Sequence, residues 1–201
     1  MQQTDNSSDN KHKSERARFF LGNLLKGLIW LAVIVGGYFY LERNYNFSLA
    51  EILGPFYDKP AVIFSIFLGS EVIFGIIPPE LFMIWSLRDG MLIVYVQNVI
   101  ALAVISYLAG LIGYYLGSHF STTRLYRIIR KNYLRKFEKH ITRFGGFMII
   151  VAALTPIPFA GICMLMGAVK YPARRFMLIS LSRFLRFAIY AMIIWEAKIL
   201  Q

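Results

Sequence analysis

The sequence predicts an all-α integral membrane protein in which transmembrane helices enclose two opposed, proline-broken re-entrant hairpins that form an inverted repeat. Three observations lead there. The chain is 57% hydrophobic and 16% charged over 201 residues, with a mean hydropathy of +0.54, which is too apolar for an ordinary soluble globule. The apolar residues gather into blocks close to the ~20 residues a spanning helix needs. Two of the blocks are interrupted at their centres, by Pro78-Pro79 in GIIPPELF and by Pro156 and Pro158 in LTPIPFAG. Proline lacks the backbone donor and clashes with the preceding turn, so each interruption ends one helix and starts another.

Residues 1–18 are polar and then basic, a composition that buries no core, and read as a mobile cytoplasmic tail. The run 19–41 follows Lys11, Lys13, Arg16 and Arg18 but is longer than a signal peptide's apolar core. It closes on Tyr38-Phe39-Tyr40 instead of a small-residue cleavage site, so it reads as a retained transmembrane helix with an interfacial aromatic belt. Residues 61–199 form the main membrane domain: a broken block at 61–87, a continuous helix at 91–117, a basic connection at 118–146, a second broken block at 147–169 and a last helix at 174–199.

Charge placement argues for hairpins over plain kinked spans. The connection 118–146 carries Arg124, Arg127, Arg130, Lys131, Arg135, Lys136, Lys139 and Arg143 against Glu138 as its lone acid, so it belongs in the cytoplasm with the basic amino terminus. A single crossing by 61–87 would put that connection outside. A hairpin that dips and returns keeps every basic cluster inside, and the block 147–169 then dips from the opposite side. Leu125, Ile128, Ile129, Leu134, Phe137 and Ile141 recur at helical spacing within the connection, which reads as an amphipathic interfacial helix, either an anchor or a reader of anionic lipid.

The net charge of +11 flanks apolar blocks and meets anionic head groups, so nucleic acid is not an expected partner. Cys163 is the single cysteine, which excludes an intramolecular disulfide and the usual cysteine-based zinc sites. No histidine falls within an apolar block and no hydrolase motif occurs, so neither a metal, a cofactor nor an enzyme activity is expected.

The chemistry that remains sits at membrane depth. Glu71 precedes the Pro-Pro break by about two turns and Glu80 follows it directly. Carboxylates there cost roughly 2.5–3.5 kcal/mol on insertion scales and face a cavity or a partner. Their expected partners are Arg183 and Arg186, three residues apart on one face of the last helix with Tyr190 a turn further on. Arginine keeps its proton, so inside a bundle it pairs with Glu71, with Glu80 or with an anionic ligand such as a lipid phosphate. Structural ion pair and ligand site are both open at this point. Thr155, Pro156 and Pro158 precede a half-helix starting near Phe159 whose free N–H groups suit phosphate. Gly110, Gly113 and Gly117 read as a packing seam, and Gly161 and Gly167 permit close backbone approach. Interrupted segments in corresponding positions of two halves point to a transporter site.

The stretch from FGIIPPELF through YLAGLIGYYLGSHF to RFGGFMIIVAALTPIPFAGICMLMGAVKYPARRFMLISLSRFLRF resembles the DedA / VTT-domain (SNARE-associated) membrane family, and its YqaA-like branch in particular. Ala109-Gly110 stands where many members have Gly-Asp, so a proton-coupling role of that acid has no counterpart here. Ala153 and Ala160 stand where many members carry arginine or lysine, which leaves Arg183 and Arg186 as the candidate phosphate ligands. The resemblance implies a multi-pass protein of the plasma or bacterial inner membrane that transports or scrambles a phospholipid or polyprenyl phosphate. Its partners would be membrane lipids with anionic head groups, a coupling ion (H+ or Na+) and, in some assemblies, further copies of itself. The alternative is a membrane scaffold or assembly factor that transports nothing.

Overall fold

The computed structural model describes residues 56–121 except 74 and 76, residues 138–199 except 156 and 157, and positions 22, 25, 26, 29, 30, 32–37 and 40 of the amino-terminal stretch; for 138–143 only the backbone is described. The tail 1–18, the connection between 122 and 137, and Pro156 lie outside these residues. Every described position of 19–41 is helical, and Val35 is buried against the core built by the helices below.

All regular structure among the described residues is helical. Helix α1 spans Pro60–Val72, α2 Pro79–Trp85, α3 Leu92–Phe120, α4 Glu138–Leu154, α5 Phe159–Ala168, α6 Ala173–Ser180 and α7 Ser182–Ile199. Among the described residues, two apolar helices have the length to cross a membrane, α3 and the run Ala173–Ile199 that α6 and α7 make together. At 1.5 Å per residue, α3 reaches about 43 Å, whereas α1, α2 and α5 reach about 20, 10 and 15 Å.

Each prolyl break is closed by hydrogen bonds, as apolar surroundings demand. At the first, α1 ends with the Gly75 N–H on Ser70 O (2.7 Å), with Gly75 at φ +66, and the Ile77 N–H donates to Ser70 Oγ at 2.8 Å. Pro79 then occupies the first turn of α2, where its missing N–H costs nothing. At the second break the Thr155 N–H and hydroxyl both return to Val151 O, at 2.9 and 2.6 Å. Pro158 caps α5.

Helix α4 begins at Glu138, well before the boundary at 147 expected from the sequence, and α3 runs on to Phe120. The pair Gly145-Gly146 lies within α4 instead of ending a connection. A Cβ on Gly145 would sit 2.9 Å from the Tyr171 ring, so the glycines make room for a packed neighbour.

Two buried clusters build the interior. Ile63, Phe67, Trp85, Leu102, Phe187 and Ile194 join α1, α2, α3 and α7. Ile149, Phe159, Cys163, Met166 and Phe176 join α4, α5 and α6 with Tyr114 of α3. Tyr114 stacks on Phe176 at 4.5 Å and donates its hydroxyl to Tyr171 O. The outer face of α3, with Ile93, Val96, Ile100, Val104, Leu108 and Ile112, is exposed and apolar, as expected of a surface that meets lipid.

The glycine seam packs α3 on α5. A Cβ on Gly117 would lie 2.0 Å from Met164 O, one on Gly167 would lie 1.9 Å from Tyr114 O, and one on Gly110 would enter the Phe159 ring. Backbone atoms do not yield as a flexible side chain does. Gly167→Ala is therefore expected to lower unfolding stability by about 3 kcal/mol, the upper part of the range for overpacking. Gly69→Ala, with nothing within 4 Å of its Cβ, should be neutral or slightly stabilising. Equal unfolding midpoints for the two variants in detergent would remove the seam from the packing.

Candidate functional site

The two proline breaks and the inner face of α7 meet midway along α3, where the two buried clusters adjoin. Glu71 from α1, Glu80 from α2, and Arg183 and Arg186 from α7 are all buried there, at 3%, 2%, 3% and 7% exposure. Arg183 Nη2 donates to both oxygens of Glu71, at 2.8 and 2.6 Å. Ser106 of α3 donates to Glu71 Oε2 at 2.9 Å and accepts from Arg183 Nε, so it bridges acid and base. The Arg183 guanidinium lies over the Phe159 ring at 4.3 Å. Arg186 Nη2 donates to Glu80 Oε1 at 2.8 Å and Nη1 to Thr155 O at 2.9 Å, while its guanidinium lies 5.0 Å from the centre of the Tyr190 ring.

Two charges of each sign thus cancel in a medium where a lone charge is prohibitive. The second pair does further work. Thr155 O is a helix-terminal carbonyl at the second break, Glu80 starts the helix after the first, and one planar guanidinium ties them together. Each carboxylate is held by its own arginine, an arrangement unlike a carboxylate dyad that shares a proton.

A cavity of about 110 Å³ opens between the breaks, lined by Trp30, Gly75, Pro78, Pro79, Glu71, Glu80, Pro158, Phe159, Ala160, Arg183 and Arg186. Arg183 Nη1, Arg186 Nε and the Tyr190 hydroxyl make no hydrogen bond. Guanidinium donors beside a cavity can bind an oxyanion, since charge-assisted hydrogen bonds of this kind are the strong ones.

The residues singled out in the sequence divide into two sets. Glu71, Glu80, Arg183, Arg186, Pro78, Pro79 and Pro158 line the cavity; Thr155 contributes its carbonyl and Tyr190 its ring beside it. Gly110, Gly113, Gly117 and Gly167 belong to the α3–α5 seam, and Gly161 is half-buried on α5. Sequence reasoning gave no place in the site to Ser106, Phe159 or Ser70. The one available signal was a hydroxyl in the middle of a long apolar helix. Among the described residues no group of His, Cys, Asp and Glu side chains is placed to hold a metal ion.

Fold and site together define a helical membrane protein with a charge-balanced, buried polar centre. The chain belongs to the VTT-domain family, the DedA family domain, whose model matches residues 60–196. It is similar to an uncharacterized protein of the archaeon Methanocaldococcus jannaschii, 30% identical over a 128-residue match that covers 61% of this chain and 78% of the relative. No solved structure matches the chain. The VTT family is not a known enzyme family.

Proposed function

We propose that the protein moves a phosphate-bearing lipid head group, of a phospholipid or a polyprenyl phosphate, across the plasma membrane. The observation that carries this reading is the pair of buried arginines, each with an unpartnered N–H, beside a cavity between two prolyl breaks. A head-group phosphate would take up Arg183 Nη1 and Arg186 Nε and compete with Glu71 and Glu80 for the remaining donors. A proton or Na+ accepted by either glutamate would release its arginine to the phosphate, which provides a route to ion coupling. The helices flanking the breaks are too short to cross about 30 Å of hydrocarbon singly, which supports re-entrant hairpins that alternate access to the site. The positive-inside pattern supports a cytoplasmic amino terminus.

The scaffold reading also has an observation in its favour, because both acids are already satisfied by ion pairs. Reconstitution separates the two. Liposomes carrying fluorescent phospholipid or polyprenyl phosphate should show head-group translocation with the wild type and lose it with Glu80→Gln, which keeps the shape but not the charge. No translocation above empty liposomes from folded wild-type protein would overturn the transport reading.

A further inference from the structure

Among the described residues, the buried side-chain atoms without a hydrogen bond are the hydroxyls of Ser180, Ser182 and Tyr190, Arg183 Nη1 and Arg186 Nε. All fall between positions 180 and 190 of the membrane-length run Ala173–Ile199. Elsewhere the buried hydroxyls are paired: Ser70 with the Ile77 N–H, Ser86 with Phe82 O, Ser106 with Glu71 and Thr155 with Val151 O. Unpaired polar atoms are therefore not scattered through the bundle but confined to one stretch of the chain.

At 100° per residue, Ser182, Arg183, Arg186 and Tyr190 of α7 share an arc of about 100°, Ser180 at the end of α6 lies about 60° beyond its edge across the Leu181 turn, and the rise from Ser180 to Tyr190 is about 15 Å, half the hydrocarbon thickness. This arc is distinct from the lipid-facing row of Leu181, Leu185 and Ile189. A buried hydroxyl or N–H left unpaired costs about 1–3 kcal/mol. Polar atoms following one another along the inner side of the α6–α7 run have a common solution in water, which both donates and accepts and in proteins bridges polar groups of this kind. At the Ser180 end the helix leads back to the exposed Arg174 and Arg175. At the other end the line passes both ion pairs.

We infer that the inner side of the α6–α7 run carries a file of ordered water, leading from near its basic start past Ser180 and Ser182 to the ion pairs and on to Tyr190. Resting on the transport reading, the file supplies the hydration that a phosphate head group and its released glutamate need at membrane depth. The serines, which touch no ion pair, are its walls.

The file is tested without a transport assay. In a Cys163→Ser background, Ser180→Cys and Ser182→Cys are reconstituted beside Leu185→Cys, whose side chain faces lipid. Ag+, a small aqueous ion that binds thiolates, is added, and protection of each thiol is read by maleimide labelling after unfolding in SDS. Both serine-derived thiols are expected to be protected about tenfold faster than Leu185→Cys. Protection no faster than at Leu185→Cys would overturn the file. Radiolytic hydroxyl-radical labelling of the wild type guards against misfolded variants: Tyr190 should be modified while Tyr95, bonded to Ala191 O, is spared, and an unmodified Tyr190 counts against the file. Protected thiols in a protein that moves no lipid would sink the transport reading and leave the file standing.

Discussion

Arg183→Met should destabilise the protein by about 3–5 kcal/mol, the cost of leaving a buried carboxylate without its counter-ion. Glu71 would keep the Ser106 hydroxyl and lose both bonds from Arg183 Nη2. One neutral donor does not balance a full charge in surroundings that exclude water. Glu71→Met strands Arg183 in the same way, and worse, since a guanidinium cannot shed its proton. The double variant Glu71→Met, Arg183→Met removes both charges and fills the space with apolar atoms of similar volume, and such replacements are often neutral or better. A double-mutant cycle read from unfolding in detergent should therefore show each single change severe and the pair mild. Additive losses would mean that Glu71 and Arg183 do not act as a unit.

That cycle also marks the limit of what the sequence discloses. Charges in an apolar block must have partners, so Glu71, Glu80, Arg183 and Arg186 identify themselves as a set from composition and helical spacing alone. Which acid meets which base depends on how α1 and α2 dock on α7 more than a hundred positions later, and no local pattern encodes that register. Ser106 illustrates the same gap: its hydroxyl matters because α3 brings it between Glu71 and Arg183, a consequence of packing. Backbone punctuation is far more legible. Pro79 and Pro158 stand at the starts of α2 and α5 because an imino acid cannot continue a helix. Gly110, Gly113 and Gly117, spaced along one helix face, foretold a close neighbour, although not that α5 would be that neighbour. Glycine misled once. Gly145-Gly146 had the look of a connection, whereas it lies inside α4 to admit Tyr171 and Ile179.

Arg186→Lys separates charge from geometry at the site. Arg186 spends Nη1 on Thr155 O and Nη2 on Glu80, and leaves Nε free. A lysine ammonium is a compact point charge on a flexible stem and cannot span the same two acceptors in a plane while offering a third donor in a fixed direction. Glu80 would keep a counter-ion, so the fold should lose only about 1–2 kcal/mol, the worth of one hydrogen bond to a charged partner. Head-group translocation in liposomes should fall further, about ten- to a hundredfold, equivalent to roughly 1.4–2.7 kcal/mol on the barrier. The excess of transport loss over stability loss is the quantity that matters. Under a purely structural role, Arg186→Lys and Arg186→Ala would lower translocation only as far as they lower the folded fraction. Wild-type rates in Arg186→Lys would show that any positive charge suffices, and the planar fork joining the two breaks would then be a fastening of the fold and not a receptor for phosphate.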